Sequence, residues 1–204
     1  MGRTKKPYTT VHGFLEGKEE ASLLDYLIEL YTDHSKISIT YDPPKGGNPN
    51  AIIKKAILQL NQGYDKLFAW IDEDLNLDSQ TRSKLAKCWD PKSENADIFT
   101  CPLKQFQKKF NSKELNPVLV VSHPICADSL ILQILGKENL PHKKYNHDTR
   151  EDQIRDTKNA LKEVFRGIDS LEYYRKNLTK KLLEVRRKQI PELDLLIRMI
   201  SVSN

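Results

Sequence analysis

The chain has few cysteines, no long apolar run and no recognisable leader. Its three cysteines, Cys88, Cys101 and Cys126, lie far apart and form no C-x-x-C pair. This spacing argues against a zinc knuckle or a disulfide framework and favours a reducing compartment. The longest apolar runs, such as 118–121, are far too short to cross a bilayer. The first ten residues are polar and basic, without the apolar core of a signal peptide. We therefore expect a soluble, cytoplasmic protein with no membrane partner.

The charges are mildly basic in sum and uneven in distribution. The 204 residues carry 33 Lys and Arg against 28 Asp and Glu, a formal net charge of +5. Basic residues crowd both ends, whereas acids occupy the middle. An acidic centre between basic arms suits a polyanionic substrate held around a metal ion. The simpler interpretation, that most of these cations are solvated helix faces, holds for the majority of them.

Strand and helix patterns alternate along the first two thirds of the chain. Apolar or alternating runs predict strands at 9–15, 37–41, 66–71, 98–99 and 118–121. Helical periodicity or capping signals predict helices from Lys18, from Asn48 or Asn50, after Asp78, over 103–110 and over 130–135. This succession is typical of a parallel sheet with helices on both faces. We therefore predict an α/β fold.

The last third has a different pattern. From Asp148 the sequence is highly charged, with apolar residues at helical spacing over 154–171 and a second helical segment over 178–188. After Pro191 comes an apolar stripe that includes Leu193, Leu196, Ile197 and Ile200. We predict an α/β domain over 1–147 and a helical C-terminal subdomain over 148–204. The stripe either covers the chain's own sheet or is buried against another chain, and a homo-oligomer is one form that the second alternative would take.

Carboxylates follow two of the predicted strands. Glu16 comes directly after the first, and Asp72 and Asp74 end the third in a D-x-D pattern. Ligand sites in open parallel sheets lie at the carboxyl ends of the strands. Three carboxylates brought together there repel each other unless a cation lies between them. Oxygen ligands without Cys or His favour Mg²⁺ or Mn²⁺ over zinc. Each motif alone is weak, because an E-G turn is often a solvated loop and D-x-D is often a helix cap.

The order of these motifs resembles the Toprim domain of topoisomerases, primases and OLD-family nucleases. It is closer to the RloB-like family of small Toprim-related proteins associated with phage defence. The motifs that carry the resemblance span 10–136 and are Glu16-Gly17, Gly46-Gly47, Tyr64-Asp65 with Asp72 and Asp74, and Ser122-His123-Pro124 with Asp128. The chain departs from the family pattern at three points: Glu20-Ala21 replaces Thr-Glu, His123 replaces Asn, and the acid after the proline is shifted by one position.

The resemblance implies a Toprim-like sheet and metal-dependent phosphodiester hydrolysis by an endonuclease acting on RNA or DNA. Asp72 and Asp74 would hold Mg²⁺ or Mn²⁺, and Glu16 would be a further ligand or the general base. Asp128 would complete a second metal site, or is simply a helix N-terminal acid. Four residues would face the substrate, with solvated or backbone-bonded roles as the alternative: Lys18, Glu20, Ser122 and His123.

Two functions follow as expectations. The first is a nuclease that acts as an antiviral effector. Because no G-x-x-x-x-G-K-[ST] motif occurs in the sequence, any ATPase involved must be a separate chain. The second is a non-catalytic subunit whose Toprim-like sheet binds nucleic acid or such an ATPase.

Overall fold

The fold was analysed in a computed structural model. It describes residues 8–42, 48–59, 62–72, 78–81, 83, 98–100, 118–122, 126–137 and 149–201, and only the backbone of 98–100, 118–122 and 150. The described residues form a mainly parallel β-sheet with flanking helices. The predicted α/β class is therefore confirmed. The predicted helix over 103–110 lies outside the described residues.

Five strands make up the sheet, and their bounds follow the predicted runs closely. They are β1 (Thr9–Leu15), β2 (Ile37–Asp42), β3 (Lys66–Asp72), β4 (Ile98–Thr100) and β5 (Val118–Ser122). The spatial order is β2-β1-β3-β5-β4. Pairs β2–β1, β1–β3 and β3–β5 are parallel. The pair β4–β5 is antiparallel, so the expectation of a wholly parallel sheet is wrong at this edge. Three residues at an edge carry no pattern from which strand direction could be predicted.

Two helices follow the first strands. The first, α1, spans Lys18–Tyr31 with Gly17 at its N-cap position. The second, α2, spans Pro49–Gln59. Asn48 caps α2, because its side-chain oxygen accepts from the Asn50 amide at 2.8 Å. As predicted, a helical turn over 79–81 follows Asp78. The Asp78 carboxylate accepts a hydrogen bond from the Thr81 amide at 2.6 Å.

Five further helices complete the described chain. They are α3 (Ala127–Leu135), α4 (Arg150–Phe165), α5 (Ser170–Asn177), α6 (Lys180–Arg186) and α7 (Pro191–Ile200). The predicted single helix over 154–171 is instead two helices. Arg166 and Gly167 adopt left-handed backbone with φ of 49° and 78°, which ends α4, and Asp169 caps α5. Thr179 caps α6, so that helix begins two residues later than predicted.

The helices cover both faces of the sheet. Val11, Leu15, Phe68 and Trp70 share one core with α1, α3 and the C-terminal helices. The alternating residues of β3 (Leu67, Ala69 and Ile71) are also buried, and α2 packs across β1 and β3 on that side. Gly13 allows close packing between β1 and β3, because a Cβ there would lie 2.5 Å from the Phe68 ring.

The C-terminal stripe is part of this core. Leu193, Leu196, Ile197 and Ile200 are at most 1% exposed, and α7 packs against α1 and β5. The expectation that the stripe covers the chain's own fold is therefore confirmed, and the alternative that it is offered to a partner is wrong for these side chains. The division at 147/148 stays a prediction, although one apolar core runs through both parts. No described helix is long and apolar enough to cross a membrane.

Candidate active site at the carboxyl edge of the sheet

Two of the predicted carboxylates lie side by side at the carboxyl edge of the sheet. Glu16 follows β1 directly and Asp72 is the last residue of β3, the strand that pairs with β1. The Asp72 amide donates to a carboxylate oxygen of Glu16 over 3.2 Å. Residues 56 positions apart in the chain are thus brought together because β1 and β3 are parallel neighbours. Asp74, the third member of the predicted trio, lies outside the described residues.

The N-terminus of α3 meets the same edge. The Ala127 amide donates to Asp72 Oδ1 over 2.7 Å, which orients that carboxylate by a helix N-terminus. Asp128, the next residue, faces the same space and is partly buried. The backbone of Ser122 lies beside Asp72 in the register of β3 and β5. His123 lies outside the described residues, so its predicted contact with substrate stays a prediction.

Glu20 is the least exposed carboxylate at this edge. Its residue exposure is 4%, although it lies in the first turn of α1. A Cβ at Gly17 would lie 2.5 Å from a Glu20 carboxylate oxygen, so glycine leaves the space that this oxygen occupies. Gly17 has φ of −133°, an ordinary extended value. The glycine is therefore needed here for room and not for backbone conformation.

Burial and neighbouring acids make this a site of perturbed protonation. Burial, with smaller contributions from the charges of Asp72, Asp128 and Glu16, raises the pKa of Glu20 to about 8. Burial also raises the pKa of Asp128, and Lys158 acts in the opposite direction. Carboxyl groups with displaced pKa values in a cleft are typical of catalytic and ion-binding sites.

The acids line a cavity of about 400 Å³ whose walls also carry lysines. Glu16, Glu20, Asp72 and Asp128 contribute acidic lining, together with Glu19. Lys18 lies in the lining, as the sequence-based assignment of a substrate contact requires.

Two more lysines of the lining, Lys158 and Lys162, come from α4 and were missed by sequence analysis. Both are exposed, and their spacing resembles the solvated face of any charged helix. Only the packing of α4 against α3 brings them to the carboxylates.

The chemistry of the donors fits a hard divalent cation, but the described residues do not complete a site. The acidic lining offers only carboxylate oxygen, the ligand type that Mg²⁺ and Mn²⁺ prefer. The nearby thiol of Cys126 is fully buried, and burial raises its pKa to about 12, which favours the neutral thiol. Within the described ranges, no group of three or more His, Cys, Asp or Glu is arranged to hold a metal ion. Glu16 and Asp72 are thus two predicted ligands whose third partner, Asp74, lies outside those ranges.

Comparison with known proteins gives no relative: no family model, curated protein or solved structure matches this chain.

Proposed function

We propose that the protein is a Mg²⁺- or Mn²⁺-dependent nuclease of Toprim type, with its active site in the acidic cavity. The observation that carries the proposal is the adjacency of Glu16 and Asp72 at the carboxyl edge of a parallel sheet, in a cavity that also holds Glu20 and Asp128. The lysines of the lining support it, since a phosphodiester is an anion that needs cationic contacts beside an acidic metal site.

Each residue has a distinct part in this proposal. Asp72 and Asp74 would hold the metal ion with Glu16, and the bound ion would polarise the phosphate and lower the pKa of a water molecule. The amide of Ala127 fixes the Asp72 carboxylate, so its second oxygen keeps a defined direction. Glu20 is positioned to hold or release a proton near neutral pH because its pKa lies close to 8.

Cleavage assays with matched variants test the proposal. Purified protein is incubated with single-stranded and duplex RNA and DNA in Mg²⁺, Mn²⁺ or EDTA. We expect metal-dependent cleavage that Glu16→Gln and Asp72→Asn each reduce by at least 100-fold, a typical loss for a group that positions the reacting atoms. Both substitutions keep an oxygen acceptor for the observed amide donors, so the fold is retained. Glu172→Gln, an exposed change on α5 outside the cavity, is the control. Cleavage by both folded variants at the wild-type rate would refute the metal mechanism.

A non-catalytic role is the second candidate. It is favoured by the three lysines of the cavity lining, Lys18, Lys158 and Lys162, which suit an anionic ligand whether or not that ligand is cleaved. In that case the cavity and its lysines bind nucleic acid or a partner without hydrolysis. Thermal unfolding separates the two functions: a nuclease site predicts Mg²⁺- or Mn²⁺-dependent stabilisation that Asp72→Asn abolishes. Unchanged melting with metal, together with oligonucleotide binding, would favour the binding role.

The resemblance to the RloB-like family further supports a role in antiviral defence with a separate ATPase. The relevant test is phage plating on cells that express the chain alone or together with any ATPase that is encoded beside it. The proposal predicts protection that requires Asp72, and protection that survives Asp72→Asn would contradict it.

A further inference from the structure

A line of cations runs along α4, away from the acidic cavity. Lys158 and Lys162 are four residues apart and share one face of α4, and Arg166 follows directly at the C-terminal end of that helix. We call these three residues the basic ridge. Successive members rise by roughly 6 Å along the axis, at 1.5 Å per residue. All three are exposed, and among the described residues their side chains form no hydrogen bond or close ion pair.

The ridge joins two cavities. Lys158 and Lys162 line the acidic cavity, and Arg166 lines a second cavity of about 340 Å³. Phe165 lies between them and lines both. The second cavity also contains Lys137 and Tyr173, with one acid, Glu163.

The second cavity has the features of a base-binding position. The Tyr173 ring is partly exposed and is held edge-on by Phe165, with ring centroids 5.2 Å apart. Proteins that bind single strands combine a cationic groove that follows the backbone with aromatic rings on which bases stack. Both cavities lie at the small end of the range for ligand pockets, about 300–1,000 Å³. Each therefore has room for a group of about nucleotide size.

We propose that the basic ridge and the Tyr173 cavity bind single-stranded nucleic acid and lead its backbone towards the acidic cavity. The ridge contacts successive phosphates, and Tyr173 offers its ring to a base. This inference rests on the proposed function for what the strand meets in the acidic cavity, but binding along the ridge does not require cleavage.

Fluorescence anisotropy with a labelled oligonucleotide of about 12 nucleotides tests the proposal in EDTA, where a metal-dependent nuclease is inactive. The ridge variant is K158Q/K162Q/R166Q. The charge-matched control is K176Q/K181Q/K188Q, whose residues are exposed and line neither cavity. The rescue variant, K158R/K162R/R166K, keeps the three charges.

The expected loss follows from counterion release. Each phosphate contact contributes about 0.7 to the log–log salt slope for a single strand, so removing three lowers the slope by about 2. At 0.15 M salt the same relation gives roughly 50-fold weaker binding. The control and the rescue variant bind within about twofold of wild type. Tyr173→Leu, made in the otherwise wild-type chain, also lowers the affinity for the oligonucleotide but leaves the salt slope unchanged, because base stacking carries no charge.

Several outcomes would overturn the proposal. One is an equal loss of oligonucleotide affinity in the ridge and control variants, and another is a salt slope that the ridge variant leaves unchanged. Tighter binding to a duplex than to the single strand would also overturn it, as would ridge-dependent binding to anionic lipid vesicles without binding to the oligonucleotide. If the triple variant fails to fold, K158Q/K162Q provides the test, with an expected slope change of about 1.4. Ridge-dependent binding without metal-dependent cleavage would support this inference and refute the nuclease, whereas cleavage without ridge-dependent binding would do the reverse.

Discussion

Glu20 makes the stability of the protein depend on pH in an unusual direction. Its pKa is raised from 4.5 to about 8, chiefly by burial. Between these values the unfolded chain releases the proton and the folded protein keeps it, so the free energy of unfolding falls as pH rises. Above pH 8 this contribution is constant, and below pH 4.5 it vanishes. The sign is opposite to that of an ion-paired carboxylate.

The magnitude is large for one side chain. A shift of about 3.5 pH units at ~1.4 kcal/mol each corresponds to an upper value of about 5 kcal/mol. Relaxation of the folded protein and partial hydration reduce this, so we expect roughly 3 kcal/mol. Glu20→Gln removes the titration while keeping size and hydrogen-bonding atoms. The variant should match wild type within about 1 kcal/mol at pH 5 and exceed it by roughly 3 kcal/mol at pH 8.5.

Urea unfolding at pH 5, 6, 7 and 8.5 in EDTA measures this difference, with the exposed Glu172→Gln as control. If the stabilities of wild type and Glu20→Gln change in parallel over this pH range, the raised pKa of Glu20 is refuted.

Gly17→Ala provides a second test, since its Cβ displaces the Glu20 carboxylate. We expect it to flatten the pH dependence at a direct cost below about 1 kcal/mol, because the displaced group is the end of a flexible side chain. In Mg²⁺ the wild type should recover stability above pH 7 more than Glu20→Gln does, since a bound cation favours the ionised carboxylate.

Two packing predictions follow from the core. Gly13→Ala should destabilise the protein by about 1–3 kcal/mol, because its Cβ overlaps the Phe68 ring, and Phe68→Leu in the same chain should recover part of that loss in thermal unfolding. Leu196→Ala should cost about 2–5 kcal/mol, because Leu196 is fully buried in α7, whereas Arg198→Ala on the exposed side should cost less than about 1 kcal/mol. Equal melting temperatures for the two α7 variants would show that the helix is not part of the core.

Local pattern was sufficient to predict the strands and most helices. The run over 66–71 is apolar because β3 is buried on both faces, and such a strand leaves a clear signal. The position of Glu16 and Asp72 at one edge also followed, because parallel strands place their carboxyl ends together. The break after Phe165 was missed, since the apolar spacing continues across it. Arg166-Gly167 was the available signal: glycine just past a helical run is a common C-terminal cap.

The candidate site was predictable only where it is built from strand ends. Glu20 was assigned to substrate contact, yet it is in phase with Leu23, Leu24 and Leu27, which are buried in α1. That phase was a usable signal of burial. Lys158 and Lys162 had no equivalent signal, because their approach to Asp128 depends on how α4 packs against α3. Tertiary packing of this kind leaves no mark in local periodicity.

The division of the cavity between two kinds of element has a consequence for how such a protein can change. Its acids belong to the sheet edge and to helices that begin there. Backbone amides hold Glu16 and Asp72, and close packing against Gly17 holds Glu20. The α4 lysines are exposed and hold no other described residue in place. If the proposed binding of a single strand holds, substitutions on the outer face of α4 would alter the affinity for that strand while the carboxylates keep their positions. The affinity for the strand and the proposed chemistry of the carboxylates could thus change independently, although both depend on one apolar core.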